Sequence, residues 1–201
     1  MRAPSAPGLR ERKKAQTRHT IQREALRLFL AKGYEATSVA EIATAAGVSH
    51  MTFFRYFPSK EDVVMADDYD PLLAEMIAAR PADEPAVDRI RRGVSDGLAQ
   101  IYSADRDALF VRTRLILRTP ALRARLWEQQ MATERLIAAA LASSSDRGPN
   151  DISTRVVAAA CLAAITVAGT IWVESDGVQE LPDLFDQAFT NLRRELGGGN
   201  G

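Results

Sequence analysis

Residue types that carry out most enzyme chemistry are scarce in this sequence. The 201 residues include one cysteine, Cys161, and two histidines, His19 and His50. One cysteine cannot form an intramolecular disulfide, and no cysteine–histidine cluster with zinc-binding spacing exists. The glycine spacings G-x-x-x-x-G-K and G-x-G-x-x-G, which bind phosphates in nucleotide-dependent enzymes, are also missing. We therefore predict that the chain is not an enzyme and has no cofactor and no metal site.

Signals for export or membrane insertion are also weak. The N-terminal segment lacks the apolar stretch of a signal peptide, which predicts a cytoplasmic protein. Residues 156–173 carry no charged side chain, and this length is near the lower limit for a membrane span. Alanine dominates the stretch, whereas the large apolar residues that drive insertion are few. A helix buried inside the protein or at a subunit interface is the favoured interpretation, without membrane contact.

Positive charge is concentrated at the N-terminal end of a chain that is neutral as a whole. Residues 1–60 contain eleven basic and four acidic side chains, a net charge of +7. The remainder therefore carries −7. A basic head on an acidic body indicates a polyanionic partner for the head alone. The alternative is a chance cluster of solvated lysine and arginine side chains.

Apolar residues recur with the period of an α-helix, and no useful length of strand-like alternation is present. The pattern predicts an all-α fold. A serine precedes both the second and the third helix, at Ser38 and Ser49, and Pro58 ends the third. The connection between these two helices is only Gly47-Val48-Ser49. A tight turn of this kind, containing glycine, is typical of a helix-turn-helix.

Composition and the residues that begin and end helices divide the chain into four parts. We predict a disordered basic arm over 1–14, a three-helix helix-turn-helix domain over 15–62, a second helical domain over 63–197 and a flexible tail over 198–201. Within the second domain, the pattern predicts separate helices over 86–102 and 107–119.

Residues 37–60 read TSVAEIATAAGVSHMTFFRYFPSK. This segment, with its flanks over about 15–65, resembles the DNA-binding domain of the TetR family of regulators. The E-I-A helix, the A-G-V-S turn and the T-F-F-R-Y-F-P-S-K run follow in the family's order. Two positions depart from the common pattern, because Phe54 stands where tyrosine is frequent and Met51 where glycine is frequent. The resemblance implies a regulator, usually a repressor, that binds a palindromic double-stranded DNA operator.

The third helix offers donors and cations of the kind that a recognition helix uses in the major groove. His50, Met51 and Thr52 lie at its N-terminal end and are expected near base edges. Hydroxyl groups and cations on this and neighbouring helix starts are expected on phosphates. The predicted DNA contacts are Arg18, Thr37, Ser38, Ser49, His50, Met51, Thr52, Arg55, Tyr56 and Lys60.

Each predicted DNA contact has a structural alternative. The serines are equally suited to cap helices, and Thr52 to support the cap at Ser49. Tyr56 is also suited to the core, His50 to an idle surface position and Arg55 to an ion pair with an acid. The basic arm, which in some family members contacts the backbone or minor groove, is otherwise a solubilising tail.

The resemblance further implies that the C-terminal domain binds a small-molecule effector and forms a homodimer through its last two helices. Small residues between 158 and 169 permit close helix approach, and Trp172, Phe185 and Phe189 offer apolar area for such an interface. Candidate ligand contacts on the central helices are Tyr102, Phe110, Thr113, Arg114, Leu117, Trp127, Met131, Thr166, Thr170 and Trp172. For each of them, an ordinary core or surface position is the alternative.

The run FFRYFPSKEDVV also resembles a family branch associated with acyl-CoA-type ligands and mycofactocin gene neighbourhoods. Arginines between residues 112 and 125 would suit the phosphates of such a ligand. Two other interpretations stay open: a DNA-binding protein that responds to no ligand, and a helical interaction module that uses its basic arm.

Overall fold

The computed structural model describes residues 8–66 and 70–197, and these residues form α-helices and no strand. The all-α prediction is thus confirmed. The helices are α1 (Leu9–Lys32), α2 (Val39–Ala45), α3 (His50–Tyr56), α4 (Lys60–Met65), α5 (Asp70–Ala78), α6 (Ala86–Arg118), α7 (Pro120–Ala142), α8 (Ile152–Glu174) and α9 (Leu181–Gly197). They form two compact units, with the division after Ala66.

The N-terminal unit packs α1 to α4 around a small apolar core. The buried members are Ile21, Ala25, Phe29, Ile42, Phe53, Phe57, Val63 and Val64. Each fully buried large side chain contributes about 1.5–3 kcal/mol. Helix α4 lies within this unit because its valines are buried and because Gln22 donates to the carbonyls of Val63 and Ala66, at 3.1 and 3.0 Å. The unit therefore extends beyond the predicted boundary at residue 62.

The turn between α2 and α3 is a Schellman motif. Gly47 donates to Thr44 and Val48 to Ala43, at 3.1 and 2.9 Å. Gly47 has a φ of +66°, a conformation that costs little only for glycine. These two hydrogen bonds satisfy carbonyl groups at the end of α2 that have no partner within the helix. They thereby fix the direction of α3 relative to α2.

Helix α1 starts earlier than the sequence predicts. It begins at Leu9, so residues 9–14 are helical where a disordered arm was expected. The basic residues in this segment are compatible with a helix because arginine and lysine have high helix propensity. Residues 1–7 and the predicted tail at 198–201 lie outside the described residues.

The C-terminal unit contains α5 to α9 around a core centred on Trp172 of α8, with Ile137, Phe185 and Phe189 among its buried members. Helix α8 packs on α6, α7 and α9. By length and composition alone α8 is also able to cross a membrane, and only 33% of its most apolar window is buried. Part of this apolar helix therefore remains exposed in a single copy of the chain.

Helix α6 contains a sharp kink in the segment that the sequence assigns to a break. Asp105 interrupts it with non-helical φ and ψ of −160° and 74°. Its carboxylate then accepts a hydrogen bond from the amide of Ala108, at 2.9 Å. Asp105 thus caps the second half of α6 as it would cap a new helix. The break predicted between residues 102 and 107 is therefore present, as a kink between two helical halves and not as a loop of several residues.

Candidate nucleic-acid interface and ligand cavity

One face of helix α3 packs into the core of the N-terminal unit, and the opposite face is exposed. Phe53 is fully buried, and Phe57 at the C-terminal cap is buried beside it, with ring centroids 6.0 Å apart. On the opposite side Met51 is 77% exposed, and His50 and Arg55 are exposed as well. A two-turn helix anchored in this way presents donors, cations and an apolar tip to the exterior. This is the arrangement that major-groove recognition requires.

Ser49 and Thr52 form the N-terminal cap of α3. The amide of Thr52 donates to the Ser49 hydroxyl at 3.1 Å, and that hydroxyl donates to Thr52 Oγ1 at 2.9 Å. The capping alternative is therefore realised, and Ser49 remains exposed at the surface. His50 packs edge-on against Phe54, with ring centroids 4.8 Å apart. This contact restricts both side chains at the start of the helix.

Ser38 forms a complete capping box with Glu41 at the start of α2. The Ser38 amide donates to the Glu41 carboxylate at 2.9 Å, and the Glu41 amide donates to the Ser38 hydroxyl at 3.3 Å. Lys32 pairs with the same carboxylate. The bond from Lys32, followed by those from Ser38, lowers the pKa of Glu41 to about 2. Ser38 is exposed, but its hydroxyl also donates to the Glu41 carboxylate at 2.8 Å, so the capping alternative is realised here as well.

Arg55 and Tyr56 lie together at the end of α3. The Arg55 guanidinium carbon is 5.5 Å from the centroid of the Tyr56 ring. Arg55 is exposed and Tyr56 half-buried. Within the part of the chain that the structure describes, no carboxylate pairs with Arg55. The ion pair considered as the alternative for Arg55 is therefore not formed by those residues.

Thr37 and Lys60 occupy structural positions. Thr37 is 1% exposed, and its hydroxyl donates to the Gly33 carbonyl at 2.8 Å. This burial does not fit the phosphate contact predicted for the Thr37 side chain. The Lys60 ammonium donates to the carbonyls of Tyr34 and Thr37, at 2.9 and 3.2 Å, and lies 4.2 Å from the centroid of the Tyr34 ring. Lys60 thus ties the α1–α2 connection to α4.

Arg18 is half-buried and stacks on the aromatic core at the end of α3. Its guanidinium carbon lies 4.7 Å from the centroid of the Phe57 ring. This contact holds the guanidinium itself over the ring, while part of the residue remains accessible. A phosphate contact by Arg18, as predicted, is compatible with that position.

The C-terminal unit contains a cavity of about 310 Å³ between its helices. Its walls are mainly leucine and isoleucine side chains from α6, α7 and α8, with polar groups on α6, α7 and α8. The polar lining residues are Arg112, Thr113, Gln129, Gln130, Thr133 and Thr166. Gln130 donates to Thr166 at 3.1 Å, which links α7 to α8 across the wall. Small-molecule sites commonly combine apolar walls with a few polar groups in this way.

Three of the predicted ligand residues line this cavity: Thr113, Leu117 and Thr166. The other seven lie outside its lining: Tyr102, Phe110, Arg114, Trp127, Met131, Thr170 and Trp172. Trp172 is fully buried in the core, where its ring packs on Tyr102 and Phe110 at centroid distances of 5.9 and 5.0 Å. Trp127 is 69% exposed. Its neighbours on α7, rather than Trp127 itself, face the cavity.

Sequence reasoning selected few of the polar wall residues as ligand contacts, although it included Arg112 among the arginines suited to ligand phosphates. Gln129, Gln130 and Thr133 share one face of α7, and Arg112, only 9% exposed, belongs to α6. The signal for them was a helical spacing of polar residues within an otherwise apolar face. That signal is hard to use because a buried arginine is rare, and because the rotation of α7 about its axis depends on its partners.

The comparisons with known proteins cover both units. The family model of bacterial regulatory proteins of the tetR family matches residues 21–66, and the MftR C-terminal domain model matches residues 84–197. TcmR, a helix-turn-helix transcriptional regulator of Streptomyces glaucescens, is 33% identical over 207 residues, which span 96% of this chain and 90% of TcmR. MftR of Mycobacterium tuberculosis, whose name assigns it to mycofactocin biosynthesis, is 29% identical and covers 91% of this chain and 94% of its own length.

A solved structure agrees over nearly the whole chain. FadR of Thermus thermophilus, a transcriptional repressor crystallised with lauroyl-CoA, is 25% identical, with a TM-score of 0.58. The match covers 92% of this chain and 95% of FadR. These relatives regulate transcription, which confirms the prediction that the chain is not an enzyme. With one family model on the helix-turn-helix and another on more than half of the chain, the chain belongs to the TetR family of bacterial transcription regulators.

Proposed function

We propose that the protein is a cytoplasmic homodimeric repressor that binds a palindromic operator and leaves it when a largely apolar small molecule enters the C-terminal cavity. The observation that carries the DNA-binding part is the exposed face of α3 above a buried aromatic anchor. We assign His50 and Met51, which are exposed at the N-terminal end of α3, to base edges, and Arg55, Tyr56, Ser49 and Ser38 to phosphates. Lys60 and Thr37 act by holding the α1–α2 connection, through which α2 and α3 are positioned.

An exposed apolar stripe on α8 supports a homodimer. Its members follow one another at intervals of four, three, four and four residues: Ile152, Val156, Ala159, Ala163 and Val167. Such a stripe lies on one face of a helix. A second copy of the same helix is a complementary partner, because small side chains let two backbones approach closely. Trp172, Phe185 and Phe189, which the sequence suggested for the interface, are buried within the protomer instead.

The cavity supports an apolar ligand with a polar or anionic end. Its lining combines aliphatic side chains with Arg112 and two glutamines. Arg118 and Arg123 are exposed at the α6–α7 junction, close in sequence to the lining residues Leu117 and Leu126. An acyl-CoA suits this distribution, with its chain in the cavity and its phosphates near the arginines. The lauroyl-CoA complex of FadR makes this class the first to test.

A gel shift on DNA upstream of the protein's own gene tests the proposal. Binding should weaken steeply as salt rises, because the protein displaces counterions from the duplex. Lauroyl-CoA should then release the DNA, whereas free CoA, which lacks the acyl chain, should not. Failure to shift any duplex at low salt would contradict the DNA-binding role and favour a module that binds other partners. Specific binding that no acyl-CoA or other apolar molecule reverses would favour a ligand-independent DNA-binding protein.

A further inference from the structure

Polar residues of the C-terminal cavity are confined to part of its wall. Among the residues that the structure describes, those that α5, α9 and the first half of α6 contribute to the lining are all apolar: Leu73, Val94, Leu98, Leu181 and Phe185. The polar ones follow the kink at Asp105 in α6 or belong to α7 and α8, among them Arg112, Gln129 and Thr133. The cavity is therefore apolar toward α5 and α9 and mixed along its other walls. This distribution suits an amphiphile with one polar end.

Arg112 places a permanent positive charge in the cavity wall. The residue is only 9% exposed, and Thr133, also a lining residue, is 8% exposed. A guanidinium stays protonated in proteins and offers five N–H donors in a planar fork. Arg112 already has an interaction within the protein, and its five donors allow a further acceptor from a ligand. In a largely apolar wall, a charge-assisted bond to an anionic acceptor is stronger than a bond to a neutral one.

The position of Arg112 differs from that of the arginines suited to the phosphates of an acyl-CoA. Arg118 and Arg123 are exposed, where a large and highly charged head group remains in water. Arg112 belongs to the wall of a cavity of about 310 Å³, which has room for about ten groups of the size of a water molecule, at about 30 Å³ each. The head group of coenzyme A is much larger than this space. A carboxylate is small, and its two oxygens match the guanidinium fork.

We propose that the cavity binds an aliphatic carboxylate of about ten carbons, with the carboxylate on Arg112 and the chain toward the apolar residues of α5 and α9. The inference rests on the proposed ligand-binding role of the cavity and names a ligand class besides acyl-CoA. Gln129 and Thr133, four residues apart on one face of α7, add neutral donors to the lining. The space thus limits the length of the chain, and Arg112 selects the charge of the head group.

Isothermal titration of the full chain with decanoate and with 1-decanol tests the proposal. The alcohol has the same chain without the charge, so the unmodified protein should bind decanoate roughly ten- to a hundredfold more tightly, the usual contribution of a hydrogen bond to a charged group. In Arg112→Gln, decanoate binding should weaken by a similar factor, while decanol binding stays nearly unchanged. Arg112→Lys, which keeps the charge without the planar fork, should bind decanoate with intermediate affinity.

The matched control is Arg135→Gln, which removes the same charge from an exposed arginine of α7 outside the cavity lining. It should bind decanoate as the unmodified protein does. Equal affinities of the unmodified protein for decanoate and decanol would overturn the proposal, as would an equal loss of both ligands in Arg112→Gln. If circular dichroism shows that Arg112→Gln does not fold, the comparison of the two ligands on the unmodified protein still decides.

A gel shift on the operator separates this inference from the proposed function. Decanoate that binds through Arg112 and releases the operator supports both. Binding through Arg112 without release supports the carboxylate site and contradicts the proposed response to a ligand. Release by lauroyl-CoA from a protein that does not bind decanoate supports the proposed function and overturns the carboxylate site.

Discussion

Gly47 is the residue on which the direction of α3 depends most directly. Its φ of +66° closes the Schellman motif, and an added Cβ would meet nothing within 4 Å. A substitution there is therefore penalised by backbone conformation alone. We expect Gly47→Ala to lower the free energy of unfolding by about 1–2 kcal/mol, the cost of the left-handed region for a residue with a Cβ. Operator affinity should fall with it. Urea unfolding and a gel shift measure the two effects.

Two further variants separate backbone strain at Gly47 from other causes. Gly47→Asn should lose less stability than Gly47→Ala, because asparagine tolerates the left-handed region better. Gly148→Ala adds a methyl group into equally open space at a glycine without positive φ. Its effect should stay within about 0.5 kcal/mol, as for an ordinary surface substitution. Unchanged unfolding in Gly47→Ala would show that the turn does not need this conformation.

At the level of helices, the close approach of α5 to α6 depends on a glycine without a side chain. A Cβ at Gly93 would lie 2.8 Å from Ile77 Cγ1 and 3.0 Å from the Ile77 backbone nitrogen. The backbone atom is unable to move without shifting α5. We expect Gly93→Ala to lower the free energy of unfolding by about 1–3 kcal/mol, the usual cost of overpacking. Thermal or urea unfolding of the full chain measures it.

At Gly169 on α8, the same substitution to alanine should have the opposite effect on stability. A Cβ there would contact only Thr113 Cγ2, at 3.7 Å, which is an ordinary van der Waals distance. Gly169→Ala should therefore stabilise the protein by about 0.5–1 kcal/mol through the higher helix propensity of alanine. The two variants should thus shift unfolding in opposite directions. Stabilisation by both would mean that the packing at Gly93 is not as tight as the structure indicates, and destabilisation by both would mean that a methyl group is not accommodated at Gly169.

The α8–α9 turn is tied to α6 by a group of polar contacts next to the kink at Asp105. Arg106 donates to the Gly177 carbonyl at 2.7 Å, to the Tyr102 hydroxyl at 2.8 Å and to Glu180 at 3.2 Å. Tyr102 also donates to Glu180. The bond from Tyr102, followed by that from Arg106, lowers the pKa of Glu180 below its ordinary value of 4.5. The folded state therefore favours the ionised carboxylate, and its contribution is lost as pH falls through the lowered pKa.

Fluorescence of Trp172 should report this titration, because its ring packs on Tyr102 and lies 5.8 Å from the Arg106 guanidinium carbon. The exposed Trp127 is first changed to phenylalanine, so that Trp172 is the only tryptophan. Emission should then change as pH falls below 4.5, before helical circular dichroism is lost. In Glu180→Gln that early change should disappear. Its persistence in the glutamine variant would assign the titration to another acid.

Local chemistry made the helix-turn-helix predictable. Ser38, Ser49, Gly47 and Pro58 fix where helices begin and end within a few residues of themselves, and the structure has those boundaries. The cavity lining was harder to predict from the sequence, because it depends on how α6, α7 and α8 are rotated about their axes relative to one another. Large aromatic residues such as Trp172 were chosen as ligand contacts. Such residues bury a large apolar area, which stabilises the core, so they are found there more often than in a ligand site. The break between residues 102 and 107 was predictable, whereas its form, a single non-helical residue at Asp105 in place of a loop, was not.

Across the whole molecule, the separation of charge and the exposed stripe on α8 indicate different roles for the two units: DNA binding for the N-terminal unit and self-association for the C-terminal unit. The N-terminal 60 residues carry +7 and the remainder −7, so attraction to DNA is confined to one end of the chain. A single helix-turn-helix makes few base contacts. Pairing two copies doubles the contacts and matches a palindrome with the two-fold symmetry of a homodimer. For the proposed homodimer, we therefore expect the state of association to determine operator affinity.

Ala163 belongs to the α8 stripe and is exposed in the protomer. We expect Ala163→Glu to yield a folded monomer, because two opposed carboxylates at a two-fold contact repel each other and lose their hydration. Light scattering should give half the mass of the unmodified protein, and operator affinity should fall by at least an order of magnitude. Ala124→Glu, at an exposed alanine of α7 between two arginines, controls for helix propensity and net charge. A dimeric Ala163→Glu protein, or equal loss of binding in both variants, would place the interface elsewhere.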